Sequence, residues 1–368
     1  MKDGFVVRPY SLGDEEEIVH FLGLPFKGWP RFDITCSPLD HWKWKFLDNP
    51  WKLTISSLCV KGGGIVGCFH GIPRMLKIGD RLLLCASGAD AGVHPSFRGL
   101  RLFSEMDNLA KQLMTKSGVW LFYAVSSNPV VIKHYSAQDY VFARSPLEYV
   151  RIRDVSLHLK MTPNKHPHLR KCAFGLQKVL GRLEPLTPTT KPTDEEFHIS
   201  RISSFDDRIE DFWNIVKSHY GFIIERRKNY MNWRYCDSRG GDYIIGIAQK
   251  NDEQGIMGYI ITRINKYHRD YPVGYIVDLL TLPQRFDIAY ALMRDALSYF
   301  DEQKINTTKC LIIKGHEHER VLAKCGFFNS RRKIGLVYRP HGSISQQTTF
   351  FNIATEKTHF VYGDYDDI

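Results

Sequence analysis

Hydrophobic and polar positions along the chain run through the same series of patterns twice. FVVRPYSLGDEEEIVHFL (5–22) reads as a short strand, a polar break and an amphipathic helix, and FHISRISSFDDRIEDFWNIV (197–216) reads the same way. HWKWKFLDNPWK (41–52) and YMNWRYCDSRGGDY (230–243) are each an aromatic-basic helix end closed by Asn-Pro or by Asp-Ser and glycines. Paired strands with a turn between them follow at 53–79 and 244–264, then a further strand at 82–93 and at 274–282. Each of those leads into a helix and another strand, VWLFYAV (119–125) or TKCLIIK (308–314). Both halves close on a helix and a break, YSAQDYVF (135–142) and LAKCGFF (322–328). Elements recurring in one order over a long chain predict a duplication.

The halves are joined by residues 156–196, where Pro163, Pro167, Pro185, Pro188 and Pro192 surround one amphipathic stretch, CAFGLQKVLGRL. This composition predicts a linker with a docking helix. The expected units are therefore 1–155, the 156–196 linker, 197–340, and a tail at 341–368 with a strand and an acidic end. At 368 residues, 43% hydrophobic and 24% charged, the chain has material for two sizeable cores. The eight cysteines form no CxxC pair and several lie in apolar runs, which predicts buried, reduced thiols and a cytoplasmic setting. No apolar run is long enough to span a membrane and no signal peptide is evident. The net charge of +10 is concentrated where Lys160, Lys165, Arg170, Lys171, Lys178 and Arg182 follow one another without an acid. Such a segment suits either a solvated linker or an anionic partner.

Chemistry concentrates in VHPSFRGLRLFSEMDNLAKQLM (93–114). A strand ends at His94-Pro95, a basic glycine turn follows, and a helix begins near Leu100. A helix N-terminus offers unpaired N–H groups and a positive dipole end, which suit a pyrophosphate, and Arg98 and Arg101 add charge there. Val93, Pro95, Phe97, Arg98 and Gly99 resemble the coenzyme A loop of the GNAT N-acetyltransferase superfamily, Val-x-Pro-x-Tyr/Phe followed by Arg/Gln-x-x-Gly-x-Gly/Ala. Arg101 stands where that motif has a glycine, and Phe103 stands at its last position. Asn128 at the end of the next strand, with Tyr135 seven residues on, repeats a second spacing of the superfamily, although Gln138-Asp139-Tyr140 replaces its Leu-Gly-Phe.

The resemblance implies an α/β fold of two tandem GNAT-like domains, each a central mixed β-sheet flanked by helices. It further implies an acyl-CoA site in the first domain, formed by Ala91, Gly92, Val93, Arg98, Gly99, Leu100, Arg101, Leu102, Phe103 and Asn128. Tyr135 would be the general acid for the departing thiolate. Asp90, just before the loop, is the candidate base, with the alternative that it serves a bulge or turn suggested by Gly88 and Gly92. The backbone N–H groups from Ala91 to Val93 would polarise the thioester carbonyl. The alternatives for Asn128 and Tyr135 are a helix cap and a partly buried aromatic residue.

The second half has Pro283 and Arg285 but no glycine after them, and Gly315 and Leu322 at the asparagine and tyrosine positions, so it should not bind CoA. His316 and His318 raise the question of a metal, but without a third ligand nearby a polar loop and no metal are expected. The aromatic-basic stretches at 42–45 and 230–235 read as helix faces packed on a core or as a wall for substrate. The implied activity is transfer of an acetyl group from acetyl-CoA to a primary amine, a small molecule such as an amino sugar, with no nucleic acid partner expected. Two rivals remain: a degenerate GNAT scaffold that binds without catalysis, and an aminoacyl transferase of the Fem type using charged tRNA.

Overall fold

A computed structural model describes residues 4–138, 140–142, 146–162, 197–251, 255–341 and 353–366. Of the expected linker only the start is described, as α5 (Val155–Met161); the expected linker helix, and with it Lys165, Arg170, Lys171, Lys178 and Arg182, lies outside the described residues, as does Asp139.

Two mixed sheets form the frame. The first runs β1 (Phe5–Pro9), β2 (Ile55–Lys61), β3 (Gly64–Ile78), β4 (Arg81–Val93), β5 (Leu121–Ser126), β15 (Gly335–Pro340), β6 (Val141–Phe142), with β9 (Phe222–Ile224) on the far end of β3. Read from the opposite edge, the second runs β8 (Phe197–Ile202), β10 (Ile244–Lys250), β11 (Ile256–Asn265), β12 (Val273–Thr281), β13 (Thr307–Ile313), β7 (Pro146–Ile152), β14 (Phe328–Asn329). The orders correspond strand for strand, with β4–β5 and β12–β13 as the parallel pairs. One strand is exchanged each way. β7, from the first half, pairs with β13 across all seven of its residues, and β15, from the second half, pairs with β5 from Gly335↔Ser126 to Pro340↔Leu121.

Helix α3 (Leu102–Lys116) lays Leu102, Met106, Ala110 and Met114 on the outer face of the first sheet. Helix α8 (Phe286–Glu302) does the same for the second sheet with Ile288, Leu292, Met293, Ala296 and Phe300. Both stripes follow the helical period. Between the sheets lies a shared aromatic core supplied by α1 (Glu15–Leu22), α2 (Pro38–Phe46), α6 (Arg208–Val216) and α7 (Lys228–Tyr235). Here Trp44 of α2 and Trp233 of α7 stack at 5.1 Å and exchange hydrogen bonds: each indole Nε1 donates to the other's carbonyl, at 3.0 and 3.1 Å. The aromatic-basic stretches are thus helix faces packed on each other.

The C-terminal residues differ from expectation. Residues 353–366 form turns, touching β9 through a bridge from Thr358 to Phe222, and pass between the two sheets as a strap. Among the described residues of this tail the backbone pairs with a strand only at that bridge, and side chains hold the rest of the segment. Arg226, fully buried, donates to Asp278 of β12 at 2.8 Å and to Asp364 of the strap at 2.6 Å. His359 Nε2 lies 3.1 Å from Asp278, its Nδ1 lies 3.1 Å from His316, and Tyr362 donates to Glu148 at 2.9 Å. His316 and His318, expected in a polar loop, are buried on a turn against this strap.

Burial would raise the carboxyl of Asp278, but the Arg226 guanidinium, with His359 and Tyr259, outweighs it and holds the group down at about 2. A depressed carboxyl stabilises fully above its unfolded value near 4, and that stability is lost as pH falls through about 2. Asp278→Asn should cost about 3–5 kcal/mol of unfolding free energy at pH 7 and substantially less at pH 2, measured by urea denaturation.

Candidate active site

Strands β4 and β5 pair only through Cys85–Ser87 and Leu121–Tyr123, then part. Beyond the last pair, a Cβ on Gly88 would stand 2.7 Å from the Phe122 ring, so only glycine lets the strands leave one another at this angle. Next, β4 bulges: His70 of β3 faces Ala89 while Cys68 faces Gly92, so Asp90 and Ala91 together stand against the single Phe69, with Asp90 at φ 41. Pro25 and Phe26 cover Gly92 from the loop after α1.

Asp90 is therefore a bulge residue, and it is also ion-paired. Its Oδ2 accepts from Lys45 Nζ at 2.6 Å and its Oδ1 from Trp29 Nε1 at 2.8 Å, while its carbonyl takes the Cys68 thiol and faces His70 Nδ1 at 3.1 Å. Lys45 also pairs with Asp366 of the strap. Burial raises the Asp90 carboxyl; Lys45 pulls it down and Asp366 pushes it up again. Lys45, whose side chain is only 1% exposed, is kept charged despite its burial by Asp366 and Asp90. Sequence reasoning placed Lys45 in an aromatic stripe and Asp366 in a tail, so neither was linked to Asp90.

The basic glycine turn lies at the same end of β4. A 3₁₀ turn (Pro95–Phe97) ends at Arg98, Gly99 follows at φ 82 with open space where a Cβ would stand, and α3 begins at Leu102. Arg98, Gly99 and Arg101 are exposed. Arg101 is the N-cap residue at φ 64, ψ 11, the left-handed conformation for which glycine is suited, and its side chain makes no capping bond. A glycine in this motif position thus has a backbone reason here, and arginine bears the strain. Leu102 is buried beneath the helix, while Leu100 and Phe103 are half-buried, Phe103 standing edge-on to Phe69.

Asn128 is the N-cap of α4 (Pro129–Ser136), its Oδ1 accepting from Val130 N–H at 3.0 Å. Tyr135 sits in the last turn of that helix rather than at a helix start, because Pro129, not the tyrosine, begins it. Its ring is 4% exposed, 4.4 Å from the ring of Tyr140, and burial pushes its hydroxyl well above the usual tyrosine range. Beside it, buried Asp107 of α3 accepts from Tyr140 at 2.8 Å and pairs with Arg339 of β15, tying the exchanged strand to the motif helix. The structure thus brings Asp90, Ala91, Gly92 and Val93 together on one strand end. The turn 98–101 continues from that end, and Asn128 stands at the matching end of β5.

The corresponding place in the second sheet is closed. Asp278 lies just past the last β12–β13 pair, much as Asp90 lies past the last β4–β5 pair, and the strap packs against β12 and β13 where these two diverge. At the head of α8, Arg285 pairs with Asp287 and Arg320 lies 3.8 Å over the Phe286 ring. Among the described residues no cluster of His, Cys, Asp and Glu could hold a metal ion.

No family model and no curated protein matches the chain. Solved structures do. Saccharomyces cerevisiae N-myristoyltransferase with bound myristoyl-CoA aligns over 92% of this chain and 83% of its own, with a TM-score of 0.62 at 13% identity. A conserved Enterococcus faecalis V583 protein described as a probable N-acyltransferase aligns over 91% and 72%, with a TM-score of 0.60 at 13% identity. The chain has a GNAT-type fold with two lobes.

The strain at Arg101 can be measured. Arg101→Gly should be more stable than Arg101→Ala by about 1 kcal/mol, because both remove the side chain and only one relieves the left-handed backbone. Equal unfolding midpoints would show that the turn is unstrained.

Proposed function

We propose that the protein is an N-acyltransferase that moves an acyl group from acyl-CoA to a primary amine by direct transfer. The observation that carries this is the parting of β4 and β5 beside an exposed, basic helix N-terminus, in a fold shared with a myristoyl-CoA-binding transferase. On this reading the chain is a tandem GNAT protein whose second copy is degenerate, with units at 1–155 and 197–340 that each lend one strand to the other. The pyrophosphate lies at residues 98–103, where Arg98 and Arg101 face solvent. The thioester arm enters between the strands, beside Asn128, and its carbonyl is polarised by N–H groups of residues 91–93.

The acceptor must lose a proton to become a nucleophile, since an amine is largely protonated at neutral pH. Asp90 takes that proton, directly or through water, and burial makes its carboxylate a stronger base than a solvated aspartate. The amine nitrogen then bonds to the thioester carbon, the carbon–sulfur bond breaks, and Tyr135 protonates the thiolate. Acetyl is our choice of acyl group and an amino sugar our choice of acceptor.

A second reading, a scaffold that binds without turnover, is favoured by three observations. Arg101 occupies the glycine position, Asn128 is committed as a helix cap, and Asp90 is held in an ion pair.

Calorimetric titration with acetyl-CoA, myristoyl-CoA and tRNA separates these readings. Binding of an acyl-CoA but not tRNA is expected, and absence of heat with both thioesters at millimolar ligand would sink the proposal. Tyr135→Phe should lower turnover by about 10²-fold or more, the range for loss of a general acid, with CoA affinity retained. Binding with an unchanged rate removes the acid assignment, and binding with no turnover over a panel of amines supports the scaffold.

A further inference from the structure

Asp90 and Asp366 lie far apart in sequence and meet on one ammonium. Lys45 pairs with both, all three side chains are nearly enclosed, and two negative charges face one positive charge there. Of the other groups around the cluster, only Arg234 adds a charge, and it acts on Asp366, not Asp90. Trp29 donates one neutral hydrogen bond to Asp90; His70 and the Cys68 thiol are spent on its carbonyl, not its carboxylate. Burial lowers His41, one turn before Lys45, to about 3, so it stays neutral, and its Nδ1 is 2.6 Å from the carbonyl oxygen of Arg239. Arg234 acts on Asp366 from α7, and its Nη1 donates to Tyr243 at 2.9 Å.

The position of Asp366 follows from the strap. Arg226 holds Asp364, Arg74 of β3 donates to the carbonyl of Gly363 at 2.9 Å, and Tyr123 of β5 donates to the carbonyl of Asp364. Two of those donors stand on the first sheet, on strands adjacent to β4. The strap therefore arrives at Lys45 already anchored.

We propose that the C-terminal strap is a working part of the site, with Asp366 and Lys45 as positioning residues that hold the Asp90 carboxylate ready to accept a proton. The inference rests on Asp90 being the base. A single ammonium facing a single carboxylate would neutralise it and leave a poor base. A second carboxylate drawing on the same ammonium leaves Asp90 part of its negative charge. When the acceptor's N–H bond breaks, the proton forms an O–H bond at Asp90 and the electron pair stays on nitrogen. Lys45 then remains charged and paired with Asp366.

The test uses the full chain with aspartate labelled by ¹³C at the carboxyl, with the Asp90 resonance assigned by its loss in Asp90→Asn. Asp366→Asn should move the Asp90 titration to lower pH, and Asp366→Glu should restore it. A purely packing role for Asp366 would leave that midpoint unmoved, and an unmoved midpoint in folded Asp366→Asn overturns the proposal. Should that variant not fold, the wild-type chain decides alone. Carboxylates sharing one ammonium titrate in coupled, biphasic steps, whereas independent single-step curves for Asp90 and Asp366 overturn the proposal. Acyl-CoA binding is scored separately by calorimetry. A chain that binds no thioester yet shows the coupled titration refutes the acyltransferase reading and leaves the charge coupling standing.

Discussion

Arg226 has no exposed side-chain surface, and its guanidinium is the junction on which the two sheets and the C-terminus depend. A buried cation is costly unless paired, and this one is paired twice, with Asp278 on a central strand and Asp364 on the strap. Because one partner lies on the strap, the strap cannot leave without stranding charge in the core. The same contact aligns the strap so that its carbonyls meet Arg74 and Tyr123 of the first sheet. Apolar contacts such as the Trp44–Trp233 stack add area, but they are less directional than these ion pairs.

Two sheets of the same strand order therefore reach different ends. In the first, parallel strands part, a bulge carries Asp90, and the helix beyond begins with exposed arginines. In the second, Asp278 is locked to Arg226 and His359, and the strap packs against β12 and β13. The contrast lies in what each aspartate is paired with, not in the strand order. It supports confining the proposed chemistry to one lobe.

Local pattern carried most of the strands and helices. Alternation and helical stripes in both halves matched β1 to β5, α3, β8, β10 to β13 and α8 closely, because each buries one face. What escaped was non-local. Nothing in PLEYVRI or GLVYRP says which sheet will receive it, since either sheet would bury the same face. His316 and His318 sit among charged residues and look like loop until His359 and Tyr220 are seen to cover them. Within the candidate site, the bulge at Asp90 and the exposed basic turn were legible from glycines and arginines. Lys45 and Asp366 were not, because an ion pair across the length of the chain leaves no spacing to read.

The exchange of β7 and β15 has a consequence for the order of folding. During synthesis the first sheet is complete up to β5 long before its next strand emerges, about 200 residues later by the register Ser126↔Gly335. Until then β5 presents an unpaired edge, and β7 has no β13 to join. Neither lobe can close ahead of the other, so the cooperative unit is the pair, with a large share of distant pairings and correspondingly slow folding. Expressed separately, each half would carry an orphan strand and an open edge, and self-association through that edge is the physical hazard the intact chain avoids.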